Sequence, residues 1–340
     1  MADVITSRHD DDRPDSRGSD GGEDRAQLIL ITGLMLAVTL VAVVLLLNTV
    51  IYTENLATRG VDSGGSEALE FRESATRDIG AIVDRENRNN ETDRADAEAS
   101  VASYRDRVRD YRIRDGVVAE IETTNWVDGT YIAQNTTRSF ESGTFDDNGT
   151  DVTAADWTLA EDVTATRGFV LRLDESELNA TPLRLVANGT GGTWTIEASQ
   201  PSGARGEVHL RTLQDGSETA NESFSVGGTA RIDLTAGTVD GEPWDALVWA
   251  AGVEADDRTA SYDVAVENGD AAAGTYELTV NDDAFVGSLE ESYYGSDRTD
   301  TSASPYALDA VYSVNATVTH RTPELHYADT ARIAPGERDA

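Results

Sequence analysis

Side chains able to bind a metal or to act as general bases are few and scattered along the chain. The His residues are His9, His209, His320 and His326, the last two within the stretch HRTPELH. That pair could ligate a metal, but zinc sites normally take three or more protein ligands, and no Cys or third His lies nearby. Pro323 between them also interrupts the strand geometry that would align them. We therefore expect no metal site and no cofactor, and interpret both residues as strand-edge positions.

The motifs of the common enzyme classes are missing from the sequence. Without Cys or Lys there is no cysteine nucleophile and no lysine-containing phosphate loop, and no Ser lies in a G-x-S-x-G elbow. Asp and Glu number 63 in 340 residues, so an adjacent pair such as Asp282 and Asp283 gives no specific signal for acid–base catalysis. The sequence predicts a protein that is not an enzyme.

One modification chemistry is predicted, namely N-glycosylation at Asn-x-Ser/Thr. Seven of the fourteen Asn residues fit this pattern, and all seven follow the long apolar segment near the N-terminus. The candidate acceptors are Asn90, Asn135, Asn148, Asn179, Asn188, Asn221 and Asn315. Because such acceptors lie on the outer surface of exported proteins, we expect residues 54–340 to be extracellular.

The charge balance is strongly acidic, with a formal net charge of -36 and Arg as the only strong base. Such an excess of one sign opposes compaction at ordinary ionic strength, whereas molar salt shortens the Debye length to about 3 Å and makes it tolerable. The composition therefore predicts a halophilic source, although a genome poor in Lys codons would act in the same direction. It also argues against a nucleic-acid partner, which would need clustered basic residues.

The densest basic stretch does not change that conclusion. Its arginines are Arg105, Arg107, Arg109, Arg112 and Arg114, and they are interleaved with Asp106, Asp110 and Asp115. We interpret this stretch as a solvated helix face and not as a binding patch.

The first structural element that the sequence predicts is a long apolar helix near the N-terminus. Residues 1–25 are acidic and almost without apolar content, which predicts a disordered tail. Residues 26–53 contain no charge, and 28–47 are almost entirely apolar, which is long enough to cross a bilayer core of about 30 Å. A cleaved secretory signal would have about 7–15 apolar residues followed by a small-x-small site, and neither is present. We predict a single transmembrane helix that contacts membrane lipid through residues 28–51.

Flanking charges suggest the orientation of this helix. Arg13, Arg17 and Arg25 precede it, against Arg59 and Arg72 after it, a weak bias toward a cytoplasmic N-terminus. Together with the Asn-x-Ser/Thr sites, this predicts a single-pass protein of the cell membrane with the bulk of the chain outside.

In the rest of the chain, the spacing of the apolar residues changes once, from a helical period to the period of two that is typical of strands. Residues 54–115 are predicted to form a helical stalk or a pair of helices packed on the next domain. They include a linker at 59–67. The apolar residues after it have helix-compatible spacing, namely Leu69, Ile79, Ile82 and Val83, and then Val101, Tyr104, Val108 and Tyr111. From about Val117 the period is two, with about ten short strands. Residues 182–198 are predicted to form a hairpin with Asn188-Gly189 in its connection, and the alternation after Tyr312 predicts that Asn315 lies on the solvent face. The predicted fold is α+β, with an antiparallel, sandwich-like β-rich domain at 116–328 and a tail at 329–340.

The segment DRAQLILITGLMLAVTLVAVVLLLNTVIYTENLATRG resembles the N-terminal region of haloarchaeal membrane-anchored, type IV pilin-like proteins of unknown function. RVRDYRIRDGVVAEIETTNWVDGT and the closing AVYSVNATVTHRTPELHYADTARIAPGE also look like segments of such proteins. The resemblance implies cleavage by a prepilin peptidase between Ala26 and Gln27, which would leave the apolar helix attached for packing with its copies in a filament. The chain lacks the Ser-Pro often found after that site and the early Glu of bacterial pilins.

The function predicted from these features is that of a non-enzymatic, glycosylated cell-surface protein, a pilin-like structural or adhesion subunit whose partners would be other surface proteins. The alternative is a membrane-anchored sensor or solute-binding domain. A cytoplasmic tail of 25 residues is too short to be a signalling domain, which favours the first hypothesis.

Overall fold

The computed structural model describes residues 20–89, 94–145, 151–201, 205–253, 260–281 and 305–337. The chain divides into two compact units, Met1–Ser63 and Gly64–Ala340. The division falls inside residues 59–67, the predicted linker, but these residues are helical. Helix propagation from both flanks is cooperative and offsets the cost of Gly64 and Gly65, about 1 kcal/mol each.

Two α-helices occur in the described part of the chain. Helix α1 spans Asp20–Asn87 and helix α2 spans Arg94–Arg112, followed by a 3₁₀ turn at Ile113–Asp115. Gly116 ends that turn with φ +76°, a left-handed conformation that glycine adopts without strain, and its N–H donates to the Ile113 carbonyl at 3.2 Å. The chain is thereby turned into the first strand.

In the described part of the chain, sixteen strands form three antiparallel sheets, more than the ten or so predicted, because several are too short to show an alternating pattern. They are β1 Val118–Ser139, β2 Ser142–Phe145, β3 Asp151–Ala154, β4 Trp157–Val163, β5 Thr166–Asp174, β6 Leu183–Gly189, β7 Gly192–Ser199, β8 Glu207–Gln214, β9 Ser217–Ser225, β10 Thr229–Asp233, β11 Thr238–Val239, β12 Glu242–Pro243, β13 Tyr262–Glu267, β14 Ala273–Val280, β15 Tyr306–Arg321 and β16 His326–Ile333. The orders are β12-β11-β10-β5-β14-β1-β15-β16, β4-β13-β6-β7-β8-β9 and β2-β3.

The two large sheets enclose the main hydrophobic core. Inward residues of the eight-stranded sheet, such as Leu171 and Leu278, share one cluster with Ile196, Leu210 and Val264 of the six-stranded sheet. Burying side chains from two facing sheets is the packing of a β-sandwich. The predicted α+β fold with a sandwich-like domain is confirmed.

A second core lies between the helices and one side of the eight-stranded sheet. Phe71, Ile79 and Val83 of α1 and Val101 of α2 are buried against residues of β1, β15 and β16, among them Val314. The helices of the predicted stalk region therefore pack on the sheet over these residues. Asn315, next to buried Val314, is half-buried on the opposite face, as the alternation predicted.

Three local expectations are wrong. Asn188 and Gly189 end β6 and do not form the hairpin connection, which is Thr190-Gly191, because Asn188 is paired with Thr193 in the ladder. Leu69 and Tyr111 were expected on packed helix faces, but they are 53% and 66% exposed. Leu69 lies in α1 beside the buried stripe of Ala68, Phe71 and Ala75, and Tyr111 lies in the last turn of α2.

Candidate functional site

The clearest functional feature is the apolar part of α1. Residues Gln27–Asn48 form a helix long and apolar enough to cross a membrane, about 33 Å at about 1.5 Å per residue. Every described side chain in this segment is exposed, and the large apolar ones are 51–73% exposed. A helix that is apolar on all sides and exposed among the described residues suits a hydrocarbon environment.

The few polar side chains of this segment fit the same environment. The Thr32 hydroxyl donates to the Leu28 carbonyl and the Thr39 hydroxyl to the Met35 carbonyl, each at 2.7 Å. In a bilayer core every polar group must find its partner within the protein, and these bonds within the helix meet that condition.

The predicted processing bond lies at the start of the apolar segment. Ala26 and Gln27 are both within α1, and the Gln27 side chain is exposed. The helix continues through the bond without a break.

The predicted glycosylation sites are spread over the domain. Asn135, Asn179, Asn188 and Asn221 are exposed, and Asn315 is half-buried in β15. Asn90 and Asn148 lie outside the described residues. Three of these side-chain oxygens accept a hydrogen bond: that of Asn135 from the Thr136 hydroxyl at 3.2 Å, that of Asn179 from the Thr181 N–H at 3.0 Å, and that of Asn188 from the Thr193 hydroxyl at 2.9 Å. The Asn221 amide donates to Glu218.

An ion-pair ladder crosses the outer face of the six-stranded sheet. Arg184 in β6 contacts Glu197 in β7 at 3.2 Å, and Arg211 in β8 donates to Glu197 at 2.8 Å. Glu267 in β13 and Glu218 in β9 extend the ladder at its two ends, so that charges alternate in sign over five neighbouring strands. The Glu197 side chain is only 9% exposed between its two arginines, which makes it the central member of the ladder.

A buried arginine joins α1, the eight-stranded sheet and the C-terminal segment. Arg167 in β5 is 2% exposed and donates to Asp84 at 2.8 Å. It also donates to the carbonyl oxygens of Pro335 and Val311, at 2.7 and 2.9 Å, and its Cζ lies 5.7 Å from the centroid of the Tyr312 ring. A buried guanidinium needs such partners to offset its lost hydration. The sequence did not single out this residue; an Arg followed by Gly168 and the apolar run 169–171 was the available signal.

A buried amide strengthens the same junction. Asn87, at the end of α1, donates to the Val311 carbonyl and accepts from the Val311 N–H, both at 2.9 Å. The side chain thus satisfies both backbone groups of one strand residue, as a neighbouring strand would.

Glu277 in β14 organises a second polar cluster at the same end of α1. Its carboxylate accepts from Arg88 and from the Tyr131 hydroxyl, each at 2.9 Å, and lies 3.5 Å from Arg172. Burial raises the pKa of Glu277, but the charge of Arg88 and these hydrogen bonds outweigh burial and hold that pKa below its ordinary value. Burial, followed by the charge of Glu277, raises the pKa of Tyr131.

These two clusters line a cavity of about 190 Å³. Its three guanidinium groups each have a carboxylate partner: Arg88 with Glu277, Arg167 with Asp84 and Arg231 with Asp233. The cavity is polar and balanced in charge, so it can hold water or a small polar solute.

His320 and His326, the pair considered as metal ligands, do not come together in the structure. His320 in β15 is fully buried, with the Glu67 carboxylate 3.9 Å away, whereas His326 in β16 is exposed and pairs in the ladder with Arg321. His320 and His326 therefore point to opposite faces of the β15–β16 hairpin. Among the described residues, no group of three or more His, Asp or Glu could hold a metal.

Comparison with known proteins gives one match. Residues 22–167, from the apolar helix to β5, match the model of a family described as a family of unknown function (DUF7261). No curated protein and no solved structure matches the chain. Over less than half of its length, the chain is similar to a family whose members have no assigned function.

Proposed function

We propose that the protein is a non-enzymatic cell-surface protein, anchored by residues 28–51 and exposing its sandwich domain outside the cell. The observation that carries this proposal is the exposed, wholly apolar helix Gln27–Asn48. Its length matches a bilayer core, and no described residue of the chain covers it.

The orientation is proposed from groups on either side of the helix. Arg13, Arg17 and Arg25 precede it and favour a cytoplasmic N-terminus. On the other side, four described Asn-x-Ser/Thr sites are exposed, which supports modification outside the cell. Glycan attachment at Asn135, Asn179, Asn188 and Asn221 is part of the proposal.

We further propose that the chain is a pilin-like structural or adhesion subunit processed between Ala26 and Gln27. The support is the resemblance of the N-terminal segment to haloarchaeal pilin-like proteins and the position of this bond directly before the apolar helix. Cleavage there would remove the acidic tail and leave the helix intact.

Mass spectrometry of the mature N-terminus from native membranes tests this processing. The proposal predicts a chain that begins at Gln27. A chain that begins at residue 1 or 2 would show a plain signal anchor, leaving the membrane attachment in place and removing the pilin-type processing.

A second candidate is a solute-binding or sensor domain, favoured by the cavity beside Arg167. A small zwitterion could replace water between its guanidinium and carboxylate groups. Isothermal titration with free amino acids in molar salt tests this, and heat of binding that Glu277→Gln abolishes would support it. The mutual pairing of the cavity charges makes it the weaker of the two.

A further inference from the structure

An open groove of about 890 Å³ lies between α1 and α2 in the folded unit Gly64–Ala340. Two hydrogen bonds show that the helices run antiparallel along it: Tyr104 donates to Asp78 at 2.8 Å, and Ser100 donates to Glu86 at 2.9 Å. We call this the interhelical groove. Its first end is the end at Asp78 and Tyr104, and its second end is the end at Glu86 and Ser100.

Four charged side chains that line the interhelical groove stand at its corners. At the first end lie Asp78 of α1 and Arg107 of α2. At the second end lie Arg85 of α1 and Asp96 of α2. Arg107 is within one helical turn of Tyr104, and Arg85 and Asp96 are within about one turn of the second contact, which fixes these positions. Acidic and basic groups therefore alternate around the four corners.

Between its two ends, the interhelical groove is lined by short side chains. Ala81 of α1 and Ala99 and Ser103 of α2 line it and are exposed. Helices pack with their axes about 8–10 Å apart, and the shorter the side chains at the contact, the closer they approach. The middle of the groove therefore leaves room for another helix, and the charges at the corners select which helix fits.

We propose that the interhelical groove binds the same groove of a second copy of this chain, so that the two helix pairs form a four-helix bundle. A two-fold axis parallel to the helices would place Asp78 over the partner's Arg107. The same axis would place Arg85 over the partner's Asp96. A two-fold axis perpendicular to the helices, within the contact plane, would place Asp78 over the partner's Arg85 and Arg107 over the partner's Asp96. With either axis, each of the four corners meets a charge of opposite sign, which is the argument for a second copy as the partner.

Pairing through contacts at the corners suits an acidic protein in concentrated salt. Two copies with a net charge of -36 each repel one another as a whole, but at molar salt charges interact only within about 3 Å. Arg107 is exposed and makes no ion pair with any described residue, and the contact gives it a carboxylate partner. The inference does not depend on the proposed anchoring, since the whole groove belongs to the unit Gly64–Ala340.

The absence of Cys allows cross-linking at single chosen positions. Full-length Ser103→Cys, purified in detergent at molar NaCl, is treated with a short bis-maleimide, and dimer is measured on a denaturing gel. Ser223→Cys is the matched control, since it is the same substitution at an exposed position of β9, outside the groove. Arg107→Glu and Arg109→Glu are then added separately to Ser103→Cys. Both reverse an exposed charge of α2, but only Arg107 lines the groove.

The proposal predicts severalfold more cross-linked dimer for Ser103→Cys than for Ser223→Cys. Arg107→Glu should reduce that dimer severalfold, whereas Arg109→Glu should leave it unchanged, with the same circular dichroism for both variants. A second reversal should restore the dimer of Arg107→Glu: Asp78→Arg if the axis is parallel to the helices, Asp96→Arg if it is perpendicular. Equal cross-linking at 103 and 223, equal effects of Arg107→Glu and Arg109→Glu, or restoration by neither reversal would overturn the proposal.

Discussion

At the scale of single residues, Arg167 is the contact on which the junction between helix and sheet depends. It is 2% exposed, and its partners Asp84, Val311 and Pro335 come from three separate parts of the fold. Removing one member of a buried ion pair leaves the other uncompensated, which typically costs 3–5 kcal/mol. Asp84 keeps 31% exposure and part of its hydration, so the lower end of that range applies.

Arg167→Met is therefore expected to lower the free energy of unfolding by about 3 kcal/mol, because it removes the charge and keeps most of the stem. Urea unfolding in molar NaCl, followed by circular dichroism, measures the change. Arg114→Met is the control, since Arg114 is exposed and makes no ion pair among the described residues. An equal effect of the two substitutions would contradict the role given to Arg167.

The ionisation of the Glu277 carboxyl makes the free energy of unfolding depend on pH. Its folded-state pKa is lowered from 4.5, so its ionised form stabilises the fold above the unfolded pKa, and this contribution is lost as pH falls through the folded pKa. The difference in unfolding free energy between the natural chain and Glu277→Gln should be constant above about pH 5 and shrink below about 4.5.

Thermal unfolding of both proteins between pH 7 and pH 3 measures that difference. Glu242→Gln, at an exposed position in β12, serves as the control for general charge effects. A difference between the natural chain and Glu277→Gln that grows on acidification would reverse the predicted sign.

At the scale of elements, the ion-pair ladder connects five strands of the six-stranded sheet. Glu197 is the buried centre of the ladder, whereas Glu218 at its end is 42% exposed. Exposed pairs contribute about 0–1 kcal/mol, while breaking a buried pair costs several times more. Glu197→Gln should therefore destabilise the protein by about 2–3 kcal/mol, and Glu218→Gln by less than about 1 kcal/mol. Equal urea midpoints for the two variants would show that the ladder acts as independent surface pairs.

Helix α1 allows a second comparison, between a buried and an exposed residue of the same helix. Ile79 is fully buried against the sheet, and Leu69, ten residues earlier in α1, is 53% exposed. Truncating a buried Ile to Ala typically costs 2–5 kcal/mol, through lost burial and a residual cavity. Ile79→Ala is expected to fall in this range and Leu69→Ala below about 0.5 kcal/mol, the usual limit for surface changes. A large loss on Leu69→Ala in the absence of membrane would show that this residue is packed within the protein.

Periodicity in the sequence was sufficient to predict the apolar helix, the helical region and the alternating strands, because each depends on local burial. It was insufficient for Tyr111, whose 3-4-3 spacing matches a packed face but which is 66% exposed at the end of α2 among the described residues. The polar junction of Arg167, Asn87 and Glu277 could not be predicted, since it joins residues far apart in the chain. Glycosylation and processing remain predictions from motifs.

At the scale of the whole molecule, the chain combines one apolar helix with one acidic sandwich domain. The helix exposes its apolar side chains throughout residues 28–47, and the domain buries its own apolar residues in two main cores. With a net charge of -36, the surface is suited to remain soluble in concentrated salt. This division is what we expect of a domain displayed from a membrane.

The side of the membrane on which the domain lies is the most direct test of this account. Val127→Cys provides a single exposed thiol in a chain that has no other, and a membrane-impermeant maleimide reports its access in intact cells. The account predicts labelling before lysis, with the labelled chain retained in the membrane pellet after alkaline carbonate extraction. Labelling only after lysis, or recovery of the labelled chain in the soluble fraction, would contradict it.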